Sequence, residues 1–165
     1  MSYEQECEQY MDHLQAGHFF GIINRRSQAF ITWACQAWNL SYSEYITLMA
    51  LYQNDGCSQN DLCASLQSDK AMTARNVKLL EEKGFVRREQ SGADKRFKYL
   101  SLTDQALAVQ GKLESILKSW TDCVSRGIDE ATLAKALSIM QLVADNAVHS
   151  DFALVWPEGR EQHEK

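Results

Sequence analysis

The sequence predicts a mostly α-helical protein that carries one small β-hairpin, which places it in the α+β class. The only proline of the 165 residues is Pro157, so almost nothing before the C-terminal end blocks helix formation. Long stretches repeat apolar residues at intervals of three or four, the spacing of one helix face. The pattern becomes extended only between residues 85 and 102, and there we expect the hairpin.

The first element is a long helix, because apolar residues recur at helical spacing from Glu4 to Trp38. Gly17 and Gly21 weaken the middle of this helix and mark the place where a kink would form. We therefore expect one long N-terminal helix with an apolar surface.

A second helix is predicted from Tyr42 to about Asn54, because Ser41 and Glu44 have the spacing of a capping box. Leu40 and Tyr45 flank this box as a hydrophobic staple. The pair Asp55-Gly56 then ends the helix.

Two shorter helices follow in close succession. Ser58 and Asp61 repeat the start signal before a short helix that ends near Leu66. Ser68 is the expected N-cap of the next helix and Gly84 its C′ residue. The helix that begins after Ser68 has an expected inner face of Thr73, Val77 and Leu80. Its expected outer face is Lys70, Ala74, Arg75 and Lys78.

The hairpin comes directly after Gly84. Residues 85–90 and 97–102 are the predicted strands, and residues 91–96 form a polar, basic turn between them. Thr103 then caps a long helix to about Ser125, and Asp129 caps a last helix to about His149. In the tail, residues 151–165, partial disorder is expected, with Phe152 and Trp156 placed to anchor its start.

Charge is unevenly distributed along the chain. The net charge is −5, yet the segment from Asp69 to Lys98 holds nine Lys or Arg against five Asp or Glu. A basic block inside an acidic chain indicates local contact with a polyanion.

Helix, short helix, tight connection, helix and basic hairpin is the order of a winged helix-turn-helix. Arg75 has the side chain that pairs with a guanine edge, while Lys70 and Lys78 suit phosphates. Arg96, oriented by Asp94, suits a narrow minor groove. The candidate DNA-binding residues are Ser58, Gln59, Ser68, Lys70, Ala74, Arg75, Lys78, Asp94, Lys95 and Arg96.

The chain resembles the MarR family of bacterial regulators through its residues 69–75, residues 80–86, the wing pair Asp94 and Arg96, and Leu102-Thr103. The resemblance implies a recognition helix that carries Arg75. It also implies a homodimer, which would bind a pseudo-palindromic operator in double-stranded DNA. The implied regions are 1–40, a dimerisation helix; 41–102, the DNA-binding lobe; 103–150, C-terminal dimerisation helices; and 151–165, a tail. The chain departs from the family pattern at Ala71, Ala74 and Asn76, where Ser, Thr and an apolar residue are more usual.

The function predicted from these features is that of a sequence-specific transcriptional regulator, a repressor released by a small-molecule effector. The resemblance suggests a pocket for a small aromatic or amphipathic ligand, although core or dimer packing explains each candidate residue as well. A cysteine switch at Cys57 and Cys63 is an alternative, and so is a winged helix that binds protein instead of DNA. The candidate pocket residues are His18, Phe19, Trp33 and Trp38.

Enzymes, metalloproteins and membrane proteins are disfavoured. The sequence holds no phosphate-binding glycine loop and no nucleophile motif, so no catalytic residue and no cofactor is expected. Its five cysteines include no Cys-x-x-Cys pair, which argues against the common zinc and disulfide frameworks. No stretch is apolar enough for a membrane span or has the features of a signal peptide, so we expect a cytoplasmic protein.

Overall fold

The structure, a computed structural model, describes residues 3–90 and 98–155. The chain divides into two compact units, residues 1–121 and 122–165. The elements are α1 (Tyr3–Ala34), a 3₁₀ turn (Gln36–Trp38), α2 (Tyr42–Gln53), β1 (Cys57–Ser58), α3 (Gln59–Ser65), α4 (Lys70–Glu82), β2 (Val86–Gln90), β3 (Lys98–Leu102), α5 (Asp104–Val124), α6 (Glu130–Val148) and α7 (Phe152–Val155). This confirms the predicted α+β class.

Helix α1 is continuous through Gly17 and Gly21 but ends earlier than predicted. The expected end at Trp38 is wrong, because the chain tightens into the 3₁₀ turn after Ala34. Asn39 closes this turn in the left-handed region at φ 52°, and its amide donates to the carbonyl of Gln36 at 3.0 Å. Asparagine tolerates this conformation better than most residues do, and it leads the chain into α2.

Helix α2 begins as predicted and is bonded to α5. The capping box of Ser41 and Glu44 is present, and both staple residues, Leu40 and Tyr45, are buried. The hydroxyl of Tyr45 donates to the carbonyl of Leu113 at 2.9 Å, and that of Tyr52 donates to the carbonyl of Ala106 at 2.7 Å. These two bonds attach α5 to α2. Burial raises the pKa of both tyrosines to about 12.

The ends of α3 and α4 show how the two helices are joined. Ser58 and Asp61 form the predicted capping box of α3. The prediction that Ser68 caps α4 is wrong, because the cap is Asp69, whose carboxylate accepts from the amide of Met72 at 2.8 Å. A carboxylate also interacts better with the positive end of the helix dipole than a hydroxyl does. Gly84 follows the helix at φ +79°, as the C′ assignment requires.

The sheet has three antiparallel strands in the order β1-β3-β2. Val86 of β2 pairs with Leu102 of β3, as expected for the hairpin. Strand β1 was not predicted; its Cys57 pairs with Leu100 of β3. Asp55 supports this edge by accepting from the amide of Leu102 at 2.8 Å. The hairpin is therefore joined to the chain that leads into α3.

One core supports the first unit. Its largest fully buried side chains include Tyr45, Phe85 and Ile31. The buried residues come from α1, α2, α3, α4, the sheet and α5, so the helix-turn-helix and the hairpin share one interior.

In the second unit Asp129 caps α6 as predicted, accepting from the amide of Thr132 at 3.0 Å. The expected anchoring role of Phe152 is wrong within the described residues, because 81% of this residue is exposed. Trp156 and residues 157–165 lie outside the described residues.

Candidate nucleic-acid interface

Helix α4 has one buried and one exposed face. Thr73, Val77 and Leu80 are buried, which confirms the predicted inner face, and Asn76 is buried with them. Lys70, Arg75 and Lys78 are exposed, while Ala74 is half-buried. Buried residues at helical spacing fix the rotation of the helix, so its three cations point away from the core.

These cations are largely free of protein partners. Among the described residues, no ion pair involves Lys70 or Arg75, and Lys78 lies 3.7 Å from Glu82 across one helical turn. Both partners of that pair are more than half exposed, so it is weak and easily exchanged for a phosphate. The exposed face of α4 therefore offers unneutralised positive charge.

Arg88 connects the sheet to both helices of the motif. Its guanidinium lies 3.2 Å from the carboxylate of Glu81 in α4 and donates to the side chain of Gln59 in α3 at 3.3 Å. Gln59, a predicted phosphate contact, is thereby held at the start of α3. Ser58, predicted beside it, already uses its hydroxyl to donate to Asp61 at 2.7 Å.

Ser68 lies at the turn between α3 and α4. It is half-buried, and its hydroxyl is 3.3 Å from that of Thr73 on the inner face of α4. The thiol of Cys63 donates to the carbonyl of Ser68 at 3.0 Å and closes the turn. The hydroxyl of Ser68 also donates to the carbonyl of Asp69 at 3.3 Å, so it is bonded within the turn. Asp94, Lys95 and Arg96 lie outside the described residues.

A buried ion pair supports the far end of α4. Lys83 donates to the carboxylate of Glu44 and to the carbonyl of Asn39. The Glu44 side chain is 3% exposed. Burial of Glu44 works against its ionisation, but hydrogen bonds from Lys83 and Ser41 and the charge of Lys83 outweigh it and lower its pKa. This pair, which the sequence reasoning missed, joins the C-terminal end of α4 to the start of α2.

A cavity of about 560 Å³ lies behind the exposed face of α4. Its wall is formed by residues of α1, α2 and α4 and of the segments that precede α2 and α4. The lining residues are Gln28, Thr32, Ser41, Tyr42, Ser43, Ile46, Thr47, Leu66, Ser68, Met72 and Asn76.

None of the four predicted effector residues lines this cavity. His18, Phe19 and Trp33 are exposed on α1, and Trp38 packs against the core. Trp33 has Phe30 as an aromatic neighbour, at a ring-centroid distance of 6.1 Å. The spacing of apolar residues in the sequence could not predict this cavity, because most of its lining side chains are small and polar.

Comparison with known proteins agrees with the resemblance that the sequence showed. Residues 38–96 match the family model described as MarR family. The HTH-type transcriptional regulator BilQ of Clostridium symbiosum (strain WAL-14163) is 31% identical over 104 residues, which span 59% of this chain and 72% of that relative. The chain belongs to the MarR family. It is therefore a DNA-binding transcriptional regulator, as the sequence predicted.

Solved structures similar to this MarR-family chain share its fold. A MarR transcriptional regulator from Methanosarcina mazei Go1 matches with a TM-score of 0.74 at 22% identity, over 81% of this chain and 96% of that one. BpsR of Bordetella bronchiseptica matches with a TM-score of 0.69 at 19% identity, over 78% of this chain and 92% of that one. The DNA binding of BpsR is regulated by 6-hydroxynicotinic acid.

The structure locates the three departures of this MarR-family chain from the usual pattern. Ala71 is exposed and Ala74 half-buried on α4, whereas Asn76 is buried and lines the cavity. The first two lie at the surface of the helix, outside the core. Asn76 instead changes the chemistry of the interior.

Two further findings concern the family of the chain and the length of its helices. Its family consists of transcriptional regulators and not of enzymes. Within residues 3–90 and 98–155, no helix is long and apolar enough to cross a membrane.

Proposed function

We propose that this MarR-family protein is a repressor that binds a pseudo-palindromic operator as a twofold dimer and leaves it when a small molecule binds. The observation that supports DNA reading best is the exposed face of α4. There Lys70, Arg75 and Lys78 point away from a buried face that fixes the rotation of the helix.

Arg75 and Lys78 have different roles in this proposal. Arg75 donates two parallel hydrogen bonds to guanine O6 and N7 and thereby reads one base pair per half-site. Lys70 and Lys78 neutralise phosphates, which strengthens binding to every sequence. Gln59, held by Arg88, contributes a neutral phosphate contact. At the wing, we propose Asp94, Lys95 and Arg96, which lie outside the described residues, as further DNA contacts, with Arg96 suited to the minor groove.

The test is a titration of operator duplexes, selected with the wild-type protein, against variants of α4. We expect Arg75→Ala to cost about 1 to 3 kcal/mol and to relax the preference at one position of each half-site. Lys78→Ala weakens binding to all sequences alike and lowers the slope of log K against log salt by about one. Fluorescence anisotropy measures both effects.

Lys112→Ala, on the exposed surface of α5, is the matched control. It should leave the affinity for the operator and the slope of log K against log salt unchanged. Equal and sequence-independent losses for Arg75→Ala and Lys78→Ala would show that the reading face is placed wrongly. A reporter gene under the selected operator then separates repression from activation.

The proposed dimer uses the long apolar helices. On α1, Phe19, Phe20 and Ile23 are about half exposed, and α6 carries Ile139 and Leu142 with still larger exposed fractions. Apolar surface of this extent is unusual for a monomer and is typical of an interface. We propose residues 1–40 and 103–150 as the dimerisation region, as the sequence predicted, and residues 41–102 as the DNA-binding lobe.

Release by a small molecule is the third part of the proposal. It is supported by the cavity directly behind α4 and by the similar fold of BpsR, whose DNA binding is regulated by 6-hydroxynicotinic acid. A ligand that contacts both α2 and α4 would change the position of the DNA-reading face.

A thiol switch has less support. Burial, together with the nearby Asp61 and Asp55 carboxylates, raises the pKa of Cys57, and burial raises the pKa of Cys35 to about 11. A raised pKa reduces the reactive thiolate at neutral pH.

A further inference from the structure

The lining of the cavity behind α4 carries hydroxyl and amide groups on a largely apolar surface, and it carries no charge. Eight of its eleven lining residues carry a hydroxyl or amide group, and none is Lys, Arg, His, Asp or Glu. An anion or cation placed there would find no opposite charge on the lining to compensate for any hydration that it loses. The apolar side chains of Ile46, Leu66 and Met72 complete the wall. An uncharged ligand with an apolar body therefore fits this lining best.

The side-chain amide of Asn76 has a fixed orientation in the wall of this cavity. This residue is 94% buried, since its exposed fraction is 6%, and its amide nitrogen donates to the hydroxyl of Thr47 at 3.1 Å and to the carbonyl of Ser43 at 3.4 Å. The hydroxyl of Thr47 itself donates to Ser43 O at 2.8 Å and so has only a lone pair for Asn76. Both neighbours are acceptors, which fixes the nitrogen towards them.

The carbonyl oxygen of Asn76 is consequently the free end of the amide. Among the described residues, no group donates a hydrogen bond to this oxygen, yet it is not sealed away from accessible space. A buried acceptor of this kind is stabilised by a partner that supplies a donor. The cavity that Asn76 lines is the space from which such a partner comes.

We propose that this cavity binds an uncharged small molecule through a hydrogen bond from an N–H or O–H group of the ligand to Asn76 Oδ1. The proposal rests on the release step of the proposed function and names its ligand class. Asn76 is the specificity-determining residue, because its side-chain oxygen is the acceptor left without a donor among the described residues. The apolar body of the ligand packs on Ile46, Leu66 and Met72.

Ligand binding is coupled to DNA reading through the backbone of α4. Met72 and Asn76, which line the cavity, alternate along this helix with the exposed Lys70, Arg75 and Lys78. A molecule bonded to Asn76 also contacts α2, where Thr47 lies, and thus stabilises one spacing of the two helices.

The test uses three isosteric probes: benzamide, acetophenone and benzoate. They share a phenyl ring and a carbonyl oxygen and differ in one group, which is NH₂, CH₃ or O⁻. We expect benzamide to bind about fivefold or more tightly than the other two, the ratio that one neutral hydrogen bond supplies. Titrations followed by NMR of ¹³C-methyl-labelled methionine report the affinity, and the Met72 methyl signal reports the location.

Asn76→Leu removes the acceptor and keeps the branched shape and the number of side-chain heavy atoms. Thr47 keeps its bond to Ser43 O in this variant, so no buried donor is orphaned and the fold should be retained. We expect benzamide to lose about fivefold in affinity and acetophenone to be unaffected. Asn146→Leu, on the exposed surface of α6, is the matched control and should leave all three affinities unchanged.

Equal affinities of benzamide and acetophenone, tighter binding of benzoate, or a benzamide shift that spares Met72 would each overturn this inference. If Asn76→Leu does not fold, the ranking of the three probes on the wild-type protein decides alone. An operator titration on the same wild-type sample tests the repressor separately. DNA binding with the wrong probe ranking rejects the ligand class only, and absence of DNA binding rejects the repressor.

Discussion

Lys83 stabilises the fold from a position where the loss of its charge leaves the buried Glu44 carboxylate without a cation, bonded only to Ser41. We expect Lys83→Met to lower the free energy of unfolding by about 2 kcal/mol, less than for a fully buried pair because the Lys83 side chain is 22% exposed. Lys78→Met is the matched control on the same helix, where the exposed pair with Glu82 should contribute about 0 to 0.5 kcal/mol. Urea denaturation measures both, and similar losses would contradict a special role for Lys83.

The same pair makes stability depend on pH. The pKa of Glu44 is lowered in the folded protein from its ordinary 4.5, so its contribution is present above pH 4.5 and is lost as the pH falls through the lowered value. We expect the difference in unfolding free energy between wild type and Glu44→Gln to be largest at neutral pH and to shrink in acid. A constant difference across that range would show that the charge of Glu44 is not what stabilises the protein.

At the residue scale, the sequence predicted local relationships and missed distant ones. The capping boxes of Ser41 and Ser58 were predictable because both partners lie three residues apart. The bonds of Asn76 to Thr47 and of Lys83 to Glu44 join residues 29 and 39 positions apart, so no spacing rule reveals them. In the sequence, Asn76 stood out only as a departure from the pattern of the family that the chain resembles. The structure shows that it lines the cavity and is bonded to Thr47.

The start of α4 offers a direct test of one cap assignment. Asp69 accepts from the amide of Met72, whereas the Ser68 hydroxyl bonds within the turn. We expect Asp69→Ala to lower the free energy of unfolding by about 1 kcal/mol and Ser68→Ala to lower it by less than half of that. Thermal or urea denaturation of the two variants gives the comparison, and the reverse order would restore Ser68 as the cap.

At the scale of elements, the six longer helices and the hairpin followed from periodicity and caps, but β1 did not. Two residues cannot display an alternating pattern, and Cys57 is extended because Leu100, far away in sequence, pairs with it. The end of α1 was misplaced for a related reason. Trp38 continues the apolar spacing of α1, although it reaches the core from a 3₁₀ turn.

The whole molecule is expected to be stable only as a dimer, because so much apolar surface of α1 and α6 is exposed in one chain. We expect Ile23→Glu to shift the protein towards monomer at micromolar concentration and to weaken operator binding with it. Asn24→Glu adds the same charge at a polar neighbouring position and should leave the dimer intact. Sedimentation equilibrium distinguishes the two, and a wild-type monomer would refute the dimer altogether.

Ser58 belongs to two elements at once, since it is the last residue of β1 and the N-cap of α3. No linker separates the strand that supports the hairpin from the helix that supports α4. An insertion at this point would break strand pairing and helix capping together. Anyone building chimeric regulators from this chain should therefore exchange residues 57–102 as one block, with no junction between the helix-turn-helix and the stem of the wing.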